Sequence, residues 1–134
     1  MQFKTDRIRD EWAQLAFKNM PLFDIVTRLH DYVADTYGRE IVLTSIYRTP
    51  EENESLYKDT PLGKRPQAQP HTRWAAVDIR SSIFSLDEIT GILAWLNASF
   101  KNPSGKATAI YHAIQGNVGH LHIQHITLPT QIIA

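Results

Sequence analysis

The chain has 134 residues, 43% of them hydrophobic and 21% charged, enough apolar material for one domain with its own core. Fourteen Lys and Arg balance fourteen Asp and Glu, so no net field favours nucleic acid, an anionic membrane or an acidic partner. With no cysteine, disulfide scaffolds, thiolate metal sites and cysteine nucleophiles are excluded.

The first ten residues are charged and carry no apolar signal-like core, and no uncharged run approaches a membrane span. The expectation is a protein that is cytoplasmic as synthesised or that reaches the outside by lysis. Residues 5–18 are predicted helical, with Ile8, Trp12, Leu15 and Ala16 at three- and four-residue spacings. A second helix is predicted from Pro21 to Tyr37, with Leu22, Ile25, Val26, Leu29 and Val33 on one face and Gly38 as its left-handed cap. The β-rich stretch 41–47 reads as a strand. Thr49-Pro50-Glu51-Glu52 is a capping box with proline in the first turn, opening a short helix to about Lys58.

Residues 59–70 hold three prolines, a glycine and the adjacent cations Lys64 and Arg65, so they read as a loop that leads into His71. An apolar run at 75–79 predicts a strand carrying Asp78. Ser85-Leu86-Asp87-Glu88 is a second capping box, opening a helix to about Phe100 with Ile89, Ile92, Leu93 and Leu96 inward. After the turn 102–105, two strands are predicted at about 107–112 and 120–126, joined by the loop 115–119. There is no internal repeat. Helices come first and most strands later, which predicts one α+β domain over 1–134 with a small, mainly antiparallel sheet.

His71 and Asp78, seven positions apart, and the later pair His120-Leu121-His122 carry the chemistry. A catalytic zinc takes three protein ligands and leaves one position open. His71, Asp78 and one of the two later histidines would supply that set, leaving the other free to act on water. Strand alternation puts His120, His122 and Gln124 on one face, and Leu121, Ile123 and His125 on the other. A buried Asp78 needs a positive partner, for which a metal, Arg73 and Arg80 are all candidates. His112 and His30 read as structural or surface residues. His125-Ile126-Thr127 matches one half of a two-histidine phosphoesterase signature, but no second His-x-Ser/Thr exists.

Taken in order, Leu43-Thr-Ser-Ile-Tyr-Arg48-Thr-Pro-Glu-Glu-Asn53, His71-x6-Asp78 and Gly119-His-Leu-His122-Ile123 resemble the zinc DD-peptidase family. That family comprises D-Ala-D-Ala carboxypeptidases, dipeptidases, murein endopeptidases and phage endolysins, and shares the hedgehog fold. The resemblance spans roughly residues 20–126. It implies a hedgehog-like fold, Zn2+ held by His71, Asp78 and His122, and His120 as the catalytic histidine of the His-x-His branch. It also implies that Arg48 binds substrate and steadies charge on the scissile carbonyl, and that the partner is a peptidoglycan stem peptide. Other branches place a glutamate where this chain has Gly119. Two positions depart from the family pattern Ser-x-His-x-x-Gly-x-Ala-x-Asp: Gln69 stands at the serine and Trp74 at the glycine. The tryptophan is expected to take a different local backbone path and to narrow the cleft. Lys64 and Arg65 are candidates to wall that cleft, and Tyr47 with Trp74 to line it. The rival expectation is a non-catalytic binding or structural protein on the same fold.

Overall fold

The computed structural model describes residues 1–64, 69–112 and 119–127. Its elements run β1 (Gln2–Phe3), α1 (Asp6–Lys18), α2 (Met20–Tyr37), β2 (Val42–Ser45), α3 (Pro50–Leu56), β3 (Ala76–Arg80), α4 (Leu86–Ser99), β4 (Ala109–His112) and β5 (His120–Gln124). Single 3-10 turns lie at Leu62–Lys64 and Pro70–Arg73. The sheet order is β1-β2-β3-β5-β4. β1 pairs with β2 in parallel and every other pair is antiparallel, so the expected α+β class with a mainly antiparallel sheet holds. Among the described residues, no helix is long and apolar enough to cross a membrane.

Both capping boxes form as the sequence dictates, with Thr49 and Glu52 closing α3 and Ser85 and Glu88 closing α4. Gly38 ends α2 at φ 66°, the left-handed cap that glycine adopts without strain. α2 begins one residue before the expected proline, capped by Asn19, whose Oδ1 accepts from the Leu22 amide at 3.2 Å. The same side chain donates through Nδ2 to the carbonyls of Trp74 and His125, 3.1 Å each. One asparagine therefore starts a helix and ties it to the turn before β3 and to the chain just after β5. β1 was not anticipated: at two residues it is too short for alternation to register, and it is held by Gln2 and Lys4 amides donating to Ile41 and Leu43.

The core lies between one sheet face and three helices. Ile8 and Leu15 of α1, Leu22 to Val33 of α2, and Ile89, Ile92 and Leu96 of α4 cluster with Leu43, Val77, Ile79, Ala109, Leu121 and Ile123. By strand alternation the other face of β3, β5 and β4 carries Asp78, His120, His122, Gln124 and His112. That polar face is also covered: Asp78, His122 and Gln124 are all buried.

Candidate metal centre

Three elements converge on one carboxylate. Asp78 sits mid-strand in β3, directly opposite His122 in β5, while His120 pairs with Arg80 two positions along. His71 comes from the 3-10 turn Pro70–Arg73, which is anchored to the β2–α3 connection by the Arg48 amide donating to the His71 carbonyl at 3.2 Å. That connection is braced from α1: Arg7 grips Glu11, Glu52 and the Tyr47 carbonyl, and Glu11 accepts from the Tyr47 amide.

His71 is 4% exposed, Asp78 5% and His122 7%, and their ligand atoms all lie within 4.8 Å of one another. His122 Nδ1 is 3.0 Å from Asp78 Oδ1, and His71 Nε2 is 3.2 Å from Asp78 Oδ2. Ligand bonds of about 2.05 Å in tetrahedral array place neighbouring donor atoms about 3.3 Å apart. The two histidine–carboxylate separations are thus close to that spacing, and the whole donor set lies within 4.8 Å.

The tautomers follow from the partners. His71 Nδ1–H donates to the Ile46 carbonyl at 2.9 Å, which leaves the lone pair on Nε2. That Nε2 is buried, close to a carboxylate oxygen, and without any aligned hydrogen-bond partner. A bare lone pair facing a carboxylate in a dry site is repulsive; a cation between them removes the conflict. The donor set of two imidazoles and one carboxylate suits zinc and related divalent ions. The buried group of His71, Asp78 and His122 could therefore hold a metal ion.

Burial pushes the Asp78 carboxyl upward, but in the metal-free site the adjoining His122 and His71 rings, which donate to the carboxylate and attract it when they carry a second proton, outweigh burial and hold the group well below the usual carboxylate range. Among the described residues its ion-pair partners are His71, His122 and His120, the last with Nε2 at 3.6 Å from Oδ2. Neither arginine fills the role offered to it: Arg73 reaches the Thr127 carbonyl at 3.4 Å instead, and Arg80 makes no ion pair with Asp78.

His120 stands at the rim with its side chain 27% exposed, so it can meet both the centre and solvent. Arg48 lies beside the site through its backbone, but its guanidinium donates to Asn53 Oδ1 at 3.0 Å; Asn53 is in turn bonded to Gln69 Oε1 at 2.7 Å. Gln69 therefore fixes the asparagine that holds the arginine. Arg65 and residues 115–118 of the expected loop lie outside the described residues.

Trp74 corrects one expectation. Rather than avoiding the backbone angle that glycine permits, it adopts the left-handed conformation itself, at φ 55° and ψ 33°, five residues after a Gln69 at φ 41° and two residues before β3. Its ring stacks on Tyr47, centroids 4.6 Å apart and 12° from parallel, with Lys18 Nζ 5.8 Å from the ring centre. These contacts hold a residue that pays left-handed strain.

Sequence reasoning underrated His112. Its Cα pairs with that of His120, and its ring lies 5.3 Å from His120 and 5.4 Å from His122. Burial lowers its pKa, favouring the neutral ring. The β4–β5 register would have exposed this neighbour, since His112 and His120 are paired across it. Gly119 has a steric explanation: a Cβ there would lie 2.7 Å from the His112 carbonyl oxygen and 2.8 Å from the Tyr111 ring. No glutamate fits at that position.

Of two surface grooves, about 390 Å3 and about 250 Å3, neither is lined by a triad residue, although the smaller is lined by Tyr47 and Arg48. A centre sized for one ion needs no such hollow. Set against family models, curated proteins and solved structures, the chain matches none of them.

Proposed function

We propose that the protein is a zinc-dependent peptidase acting on peptidoglycan stem peptides, of the carboxypeptidase, endopeptidase or endolysin kind. The observation that carries this reading is the buried, unpartnered His71 Nε2 beside Asp78, with the ligand atoms of His71, Asp78 and His122 within 4.8 Å of one another and a further histidine at the rim. When bound there, a zinc ion supplies Lewis acidity, acidifying water and polarising a carbonyl. His71, Asp78 and His122 are its holders. His120, at the exposed edge, is the group that accepts the proton of the attacking water and passes it to the leaving amine. Arg48, tethered by Asn53, is the cation available to a substrate carboxylate or to the oxyanion once substrate draws it inward. Tyr47 and Trp74 form an aromatic wall behind the arginine's loop.

A second reading has its own observation. The triad is almost wholly buried, and His120 Nε2 lies 3.6 Å from Asp78 Oδ2, close enough to serve as a fourth ligand. A four-ligand closed centre is structural rather than catalytic, and would suit a binding or scaffolding protein. One experiment separates them: zinc-loaded protein is incubated with defined muropeptides with and without chelator, and products are identified by mass. The peptidase reading expects chelator-sensitive cleavage, with His122→Ala losing both stoichiometric zinc and turnover, and His120→Ala keeping zinc while losing turnover. Loss of zinc from His120→Ala, with no cleavage by wild type, favours the structural centre. Equal zinc content in wild type and His122→Ala removes the ligand assignment altogether.

A further inference from the structure

We infer that Gln124 is a positioning residue of the metal centre, holding the His122 ring so that Nδ1 rather than Nε2 faces the ion. This rests on the metal-centre reading above and deepens it. Gln124 is 5% exposed, so both halves of its amide must find partners inside the protein. Its Nε2 donates to the Ala107 carbonyl at 2.8 Å, which settles the amide orientation: the oxygen is the half turned toward His122. Oε1 lies 3.0 Å from His122 Nε2, and because that oxygen can only accept, the ring nitrogen is the donor.

The clamp extends to the backbone. The Gln124 amide donates to Thr108 O at 2.8 Å, and its carbonyl accepts from Asn102 Nδ2 at 3.1 Å. Asn102 also accepts from the Ile126 amide through Oδ1 at 3.1 Å. Flipping the Gln124 amide would set its oxygen against the Ala107 carbonyl and its NH2 against the donor on His122. Neither is tolerated in a buried site.

With the proton pinned on Nε2, the one lone pair His122 can offer a cation is on Nδ1, which points at Asp78 Oδ1 from 3.0 Å. The two imidazoles of the triad thus present opposite nitrogens, each fixed by an acceptor on the far side: Ile46 O for His71 and Gln124 Oε1 for His122. Such outer partners orient the ring and raise its basicity, and their removal typically weakens metal affinity about 10–100-fold.

The test is zinc affinity, measured by competition with a chromophoric chelator, for wild type, Gln124→Met and Gln124→Glu, with the fold of each checked by circular dichroism without metal. Methionine fills the space but accepts nothing, and is expected to weaken zinc binding about 10–100-fold. Glutamate keeps the acceptor for His122 but loses the donor to Ala107, and is expected to bind zinc within a few-fold of wild type. A merely structural role would make glutamate no better than methionine. Long-range 1H–15N NMR of zinc-loaded wild type should show His122 protonated at Nε2 and metal-bound at Nδ1, which decides the matter even if the methionine variant fails to fold. Equal affinity in all three proteins, or metal on Nε2, overturns the positioning role while leaving the metal centre standing. A wild type that takes up no zinc overturns both.

Discussion

Replacing Trp74 by glycine and, separately, by alanine isolates the backbone strain beside the site. Both changes remove the half-buried indole, its stack on Tyr47 and its contact with Lys18. A fully buried tryptophan is worth about 3–5 kcal/mol, so a half-buried one loses about 2, and the aromatic pair adds about 1. The lost side-chain contacts should therefore cost each variant about 3 kcal/mol, before any difference in backbone strain. The difference between them is the informative quantity. Position 74 sits at φ 55°, where an L-residue is strained by roughly 1–2 kcal/mol and glycine is not. Glycine's greater freedom in the unfolded chain returns about 0.5–1 kcal/mol of that advantage. Trp74→Gly should consequently be more stable than Trp74→Ala by about 1 kcal/mol, reversing the usual order, with a melting temperature about 4 °C higher. Urea and thermal unfolding of the metal-free proteins measure this directly. An alanine variant as stable as the glycine variant, or more so, would mean that the backbone at 74 is not held left-handed.

Three further outcomes are expected. Gly119→Glu should not install a new base but should destabilise the β4–β5 pair by about 1–3 kcal/mol, because even its Cβ meets the His112 carbonyl oxygen at 2.7 Å; urea unfolding reads the loss. Asn19→Ala removes a helix cap and strands the Trp74 and His125 carbonyls, so a loss of about 2–3 kcal/mol is expected, and a change under about 0.5 kcal/mol would deny the tether. In acid, stability should fall in two stages. Burial lowers the pKa of His112 and of His125, so the unfolded chain takes up protons first and stability drops as pH falls below about 6.5. The hydrogen bond from Arg7 lowers Glu52 to about 2, so its contribution, present above about 4.5, is lost between there and about 2. A melting temperature flat from pH 7 to pH 3 in metal-free protein would contradict both stages.

Local rules were enough to read the helices, the capping boxes at Thr49 and Ser85 and the glycine cap at 38, because each depends on side chains within a few residues of the backbone they satisfy. Period-two alternation likewise put His120, His122 and Gln124 on one face, since the direction of a side chain in a strand is set by its parity. Strand pairing is not local, and it decided the rest. Only the register of β3 against β5 sets Asp78 opposite His122, and only the β4–β5 register brings His112 beside them. Sequence offered Arg73 and Arg80 as partners for the buried carboxylate; the packing chose histidines, because the turn carrying His71 folds over the polar face and carries Arg73 away from it. Gln124 was legible as a face residue but not as the partner of His122, since its role depends on the Ala107 carbonyl seventeen positions away. The strain at Trp74 was hidden for the same reason. A residue's side chain states its own preferences, whereas the backbone angle it must accept is imposed by the strand, the turn and the helix start that meet around it.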